Sequence, residues 1–141
     1  MPLSEEERAF VDGHRVARLA TADTQGVPHV VPIVYARVGD VLYFVIDEKP
    51  KRTRTGLKRL RNIEQNPQVA LVIDDYDDDW TRLAYLLVQG HAARVDDPGE
   101  FTSVLAVLRQ RYVQYRSMTL EFGFHPMVRI TVTGTHSWKA N

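Results

Sequence analysis

The chain has no cysteine. A disulfide framework, a zinc–thiolate centre and a cysteine nucleophile are therefore excluded. It has no run near the roughly 20 apolar residues that a membrane-spanning helix needs. Its start, Ser4-Glu5-Glu6-Glu7, is acidic where a secretion signal is basic. These features predict a cytoplasmic protein. Neither sign of charge dominates: 18 Lys and Arg stand against 18 Asp and Glu, a formal net charge of zero. Nothing global draws such a chain to nucleic acid or to a membrane. The sequence holds neither a Gly-x-Gly-x-x-Gly nor a Walker-type loop. Its serines lie in no nucleophile elbow. Its five histidines, His14, His29, His91, His125 and His136, show no metal-ligand spacing.

What is present reads as one domain, residues 1–141, with enough apolar content for a real core. Ser4 and Glu7 form a capping-box pair that starts a short helix over 4–12. Strands are expected over 15–21, 27–38, 41–46, 68–73, 83–95 and 127–138. The second of these is apolar on both faces, so something is expected to cover both. It carries Pro32, which cannot donate to a ladder and so marks a bulge or an edge. Gly39-Asp40 is a tight hairpin turn, and Gly90 marks a bulge or bend. A helix over 56–64 turns Leu57, Leu60 and Ile63 to one side and stops at Asn66-Pro67. Asp97-Pro98-Gly99-Glu100 starts another, with Asp97 as N-cap and Glu100 closing the box. Its apolar positions run Phe101, Leu105, Leu108, Tyr112 and Tyr115. Hairpin-joined strands with a late helix and a returning strand predict a mainly β fold, a closed or nearly closed antiparallel barrel.

The charge is unevenly placed. From Lys49 to Arg61 there are seven basic residues and no acidic one. Thr53 and Thr55 add hydroxyls, and Gly56 lets the backbone approach closely. Cations, hydroxyls and N–H groups at a helix start are what a phosphate needs. This turn is therefore read as the holder of the phosphate of a flavin-like cofactor. A solvated basic loop is the alternative. The answering acidic run, Asp74-Asp75-Tyr76-Asp77-Asp78-Asp79, reads as a solvated loop or a barrier to anionic substrates.

Three groups of residues carry a resemblance. They are Leu19-Ala20-Thr21, then Gly26-Val27-Pro28-His29-Val30-Val31-Pro32, then Asp40-Val41-Leu42-Tyr43-Phe44. With the basic turn and Asn66-Pro67-Gln68-Val69-Ala70-Leu71, they resemble the split-barrel flavoproteins related to pyridoxamine 5′-phosphate oxidase. Asp74-Asp75-Tyr76, Asp79-Trp80 and Val88-Gln89-Gly90-His91-Ala92 are similar to an actinobacterial branch associated with the deazaflavin coenzyme F-420. The resemblance spans nearly the whole chain.

It implies a six-stranded antiparallel split β-barrel with flanking helices, and an obligate homodimer with two cofactor sites at its interface. It also implies that the ring system lies along Val31, Pro32 and Ile33. The phosphate would meet Lys49, Lys51, Arg52 and Thr53, with Lys58 as a further candidate. The expected activity is that of a coenzyme F-420-dependent oxidoreductase passing a hydride to a small organic substrate. Such chemistry needs no protein nucleophile, and no catalytic residue is assigned. The deazaflavin carries a long anionic tail, and the basic run continues through Arg54, Lys58, Arg59 and Arg61 to receive it. An FMN-dependent oxidase or reductase of the same fold is the alternative, as is a non-catalytic cofactor- or haem-binding protein with His29 or His91 as axial ligand.

Overall fold

Ser4 starts the chain's first helix in the way its side chain allows. Its hydroxyl accepts from the N–H of Glu7 at 3.1 Å, and the Glu7 carboxylate accepts from the N–H of Ser4 at 2.9 Å. Two orphan donors are satisfied at once, and α1 (Glu5–Asp12) follows. The computed structural model describes residues 2–47 and 54–140, with side chains from 58 onward in the second stretch. The remaining elements are β1 (Ala17–Ala22), β2 (Pro28–Ile33), β3 (Ala36–Val38), β4 (Val41–Val45), α2 (Arg54–Gln65), β5 (Gln68–Asp75), β6 (Ala84–Arg94), α3 (Pro98–Arg111) and β7 (Met127–Lys139). Short 3-10 turns lie at Trp80–Arg82 and Val113–Ser117.

The strands form one antiparallel sheet in the order β2-β1-β5-β6-β7-β4-β3. Its two edge strands, β2 and β3, are consecutive in the chain and joined only by Val34 and Tyr35. Three Cα steps reach about 11 Å at most. The sheet has therefore curled until its first and last strands stand side by side. Among the described residues no ladder joins β2 to β3. The barrel is closed by the chain and open in its hydrogen bonding, which makes it split.

Seven strands stand where six were expected. The expected strand over 27–38 is two strands, because its middle is captured by other elements. The Tyr35 hydroxyl donates to the Val11 carbonyl at 2.6 Å. The Tyr35 N–H donates to the Tyr112 hydroxyl at 3.2 Å. Pro32 lies opposite Arg18 on an edge strand, where a missing donor costs no ladder bond. Gly39, at φ +62°, makes the β3–β4 turn. In it, Asp40 Oδ1 accepts from Leu3 N at 3.0 Å and from Arg8 Nη2 at 2.9 Å.

The barrel interior is apolar. Leu19, Leu42, Phe44, Leu71, Ile73 and Ile130 fill it, and Leu60 and Ile63 of α2 close one end. A second cluster lies outside, where Phe101, Leu105 and Leu108 of α3 cover Tyr43, Val45 and Met127. Hence β4 is buried on both faces. The α3 helix stops at Arg111, short of the apolar series read to Tyr115. Tyr112 leaves helical geometry at φ −123°, ψ 111°, and Tyr115 sits on the following 3-10 turn. The long β6 breaks register between Gln89 and Gly90. A Cβ on Gly90 would stand 2.6 Å from Ile130 Cγ2, so at the bulge β7 comes too close for a side chain. The outward side of β2 is uncovered: Val30 is 60% exposed, and Pro32 is exposed beside it.

Candidate functional site

A cleft of about 180 Å³ opens where the barrel is split. The end of β2 and the crossover supply Pro32, Ile33 and Val34. The end of β4 supplies Phe44, Val45 and Asp47. Arg59 enters from α2 and Tyr115 from the turn after α3. Four segments distant in sequence thus converge because the curled sheet brings β2 next to the β3–β4 hairpin.

Arg59 is the feature that stands apart. Only 8% of it is exposed, and its Nε has no hydrogen-bond partner among the described residues. Its guanidinium carbon lies 6.0 Å from the centroid of the Phe44 ring, which is buried. The ring face offers weak cation–π stabilisation. It does not replace the hydrogen bonds that a desolvated guanidinium demands. An anionic oxygen in the cleft would supply them.

Across the cleft, Tyr115 and Asp47 share a wall. Burial, and then the negative charge of Asp47, push the phenol well above its ordinary range. It is a neutral wall residue at any ordinary pH.

The structure brings some of the sequence-derived candidates together and separates others. Pro32 and Ile33 line the cleft. Val31 turns its side chain into the barrel core instead. Lys58 is half-buried on α2, and its charge reaches the β1–β2 turn. There the Asp23 carboxyl is held below its usual range, first by the N–H of Val27 and less by Lys58. Lys49, Lys51, Arg52 and Thr53 lie outside the described residues, between Asp47 in the cleft wall and α2. Arg59 was read only as a contact for an anionic tail. In the sequence it is one cation among seven, and only its place against Phe44 distinguishes it.

The histidines divide by environment. His29 faces the barrel side of β2, with Nε2 buried and unpartnered among the described residues. His91 opens onto a shallow groove of about 560 Å³ on the outer sheet face. His14 binds Asp75 through Nε2 at 2.6 Å. No cluster of three metal-ligating side chains is present among the described residues. The acidic run is partly structural rather than a free solvated loop. Asp74 pairs with Arg18 at 3.0 Å, Asp75 with His14, and Asp79 caps the turn at Trp80. Tyr76 and Trp80 are exposed on the β5–β6 connection. Among the described residues no helix is long and apolar enough to cross a membrane.

Known structures share this architecture. An F420 reductase is 26% identical, with a TM-score of 0.63 over 95% of this chain and 98% of that one. An FAD-binding protein of Mesorhizobium loti is 23% identical, with a TM-score of 0.70 over 97% and 95%. The haem storage protein HutZ of Vibrio cholerae is 18% identical, with a TM-score of 0.71 over 99% and 95%. None of the curated proteins matches the chain. The sequence profile described as pyridoxamine 5′-phosphate oxidase matches residues 3–138, nearly the whole length. The chain belongs to the pyridoxamine 5′-phosphate oxidase family.

Proposed function

We propose that this protein is a cytoplasmic, homodimeric oxidoreductase that uses the deazaflavin coenzyme F-420 to reduce a small organic molecule. The observation that carries this reading is Arg59, buried in the cleft with an Nε that has no partner among the described residues. The residues fit the group: a buried cation for a phosphate, and apolar Pro32 and Ile33 for a flat ring. Arg61 is exposed on α2 and able to meet an anionic tail.

When bound, the reduced deazaflavin supplies the hydride. The chain's own part is to bind, orient and keep water out. Arg59 anchors, Phe44 backs it, and Tyr115 with Asp47 closes the far wall. The uncovered outward side of β2, with Val30 and Val27 exposed, is where a second copy would dock. Similarity to an F420 reductase supports the deazaflavin. Similarity to an FAD-binding protein supports the FMN-type alternative at the same cleft. The unpartnered Nε2 of His29 favours a third reading, a haem carrier without catalysis.

Fluorescence titration of coenzyme F-420 and FMN at matched ionic strength tests the choice. Tighter binding of the deazaflavin supports this reading. Equal or reversed affinity moves the function to FMN chemistry. A haem Soret band in protein purified from a host that makes all three would replace both.

A further inference from the structure

The cleft does not end at Tyr115. Val34, Asp47 and Tyr115 also form one side of a second, larger groove of about 400 Å³. This groove runs on between the start of β1 and the turn after α3, past Val16, Tyr112 and Met118. Its size lies in the range of small-molecule sites. Its walls are apolar for the most part, with Arg15, Asp47 and Gln114 among them, and partly open, with Val16 38% and Met118 40% exposed. They are also fixed in place. Arg109 donates from Nε to the Tyr115 carbonyl at 3.0 Å and from Nη2 to the Met118 carbonyl at 2.7 Å. The Tyr112 hydroxyl donates to the Arg15 carbonyl at 2.8 Å. Arg15 itself stacks over the Tyr112 ring at 5.0 Å and donates to the Arg111 carbonyl at 2.7 Å. A preformed apolar groove of this kind needs no ordering when it fills.

We infer that this second groove is the substrate site, and that it takes a flat, largely apolar molecule whose hydrogen-bond donor is received by Asp47 at the seam with the cleft. The inference rests on the proposed reading of the adjoining cleft as the cofactor's. The shared wall supplies the reason: among the described residues, a molecule in the groove meets the contents of the cleft across Val34, Asp47 and Tyr115. Among the described residues Asp47 is the acidic side chain at that seam, and it is exposed. A carboxylate there receives donors and repels anions. Arg59, the buried cation, belongs to the cleft and not to the groove. Arg15 also lines the groove, but its guanidinium is held over the Tyr112 ring and against the Arg111 carbonyl, so the preference for a donor is set at the Asp47 end.

Three naphthalene probes of one shape separate the possibilities: the carboxamide, the carboxamidine and the carboxylate. Each is titrated into isotope-labelled protein, with and without saturating coenzyme F-420, and followed by amide chemical shifts. The amide and amidine are expected to move the resonances of Val16, Gln114 and Met118. The carboxylate should bind at least about tenfold more weakly. Met118→Trp, and independently Val16→Trp, should fill the groove and weaken the amide about tenfold while leaving cofactor affinity within about twofold. The inference fails if the shifts gather on the outer sheet around His91, or if the carboxylate binds tightest. It also fails if the cofactor itself displaces the amide, because the groove would then be the cofactor's. Absence of cofactor binding would instead remove the proposed function, and the apo titration would still show whether the groove selects donors.

Discussion

Arg129 grips Glu100 through two parallel contacts, Nε to Oε2 at 2.8 Å and Nη2 to Oε1 at 2.6 Å. The same Oε2 accepts from the Tyr43 hydroxyl at 2.7 Å. This knot ties the first turn of α3 to β7 and β4. It also explains why Glu100 does not close the capping box read from the sequence. Asp97 caps the helix, accepting from the Glu100 N–H at 2.8 Å, while the Glu100 carboxylate is spent on the sheet.

The knot makes stability depend on acid. The Glu100 carboxyl is held below its usual range, first by the Arg129 guanidinium and then by Tyr43. A depressed value means the contribution is fully present above the unfolded carboxyl's value, about pH 4.3. It is lost as pH falls through the lower, folded one. Glu100→Gln should lower stability at neutral pH by about 1–2 kcal/mol, the pair being partly exposed. Below about pH 4 the gap between variant and parent should begin to close, and it should vanish only below the folded value. Urea denaturation at a series of pH values measures both; a constant gap across that range would show that the charge plays no part.

Tyr35 should act at the other end of the scale. Burial pushes its phenol well above the ordinary range, against an opposing but smaller effect of Arg111. A raised value means stability is present below the unfolded tyrosine's, about pH 10, and declines as pH rises past it. Tyr35→Phe should therefore flatten the alkaline decline. At neutral pH it should cost about 1–2 kcal/mol, because the Val11 carbonyl loses its donor. Denaturation between neutral and alkaline pH reads out slope and offset separately.

The bulge in β6 gives a steric test. Gly90→Ala would place a Cβ 2.6 Å from Ile130 Cγ2 and 2.8 Å from the Thr131 carbonyl oxygen. A loss of about 1–3 kcal/mol is expected from the forced shift. Gly134→Ala is the control. Its Cβ would meet only the end of the Gln89 side chain, at 3.3 Å. Equal melting temperatures for the two variants would mean the strands are not held this close.

Features decided within a few residues were legible in the sequence. The Ser4–Glu7 box, the Gly39-Asp40 turn and the Asp97-Pro98 helix start all have local causes; Gly90 marked its irregularity although the cause, Ile130 and Thr131, is distant in the chain. The division of the 27–38 strand was not legible. It is set by Tyr112 and Val11, which lie 77 and 24 residues from Tyr35. Of the cleft, Pro32 and Ile33 were named through the family resemblance, and the basic turn lies outside the described residues. Arg59, Asp47 and Tyr115 could not be read as cleft walls, because only the curling of the sheet brings β4, α2 and the turn after α3 together. Burial of one cation out of seven leaves no mark on composition.

Arg59 offers the sharpest test of the site, because its removal should act with opposite signs on two quantities. Its guanidinium is desolvated, and its Nε finds no partner among the described residues. Such a group is held at a cost in the apo protein. Replacing a buried charged group by an apolar side chain of similar volume is often neutral or stabilising. Arg59→Met keeps the length of the stem and its contact with Phe44. The apo variant should therefore melt at the parent's temperature or above it, with a gain of up to about 2 kcal/mol. Cofactor affinity should move the other way. A charge-assisted hydrogen bond to phosphate is worth about 1.5–3 kcal/mol, so titration should show a loss of about tenfold to a hundredfold or more. Arg59→Lys keeps the charge but loses the fork of donors, and should fall between the two. The losses should be nearly insensitive to added salt, since a buried pair is screened much less than an exposed one. A variant that destabilises the apo protein while binding cofactor as the parent does would show Arg59 to be a packing residue. The anion would then be held outside this cleft.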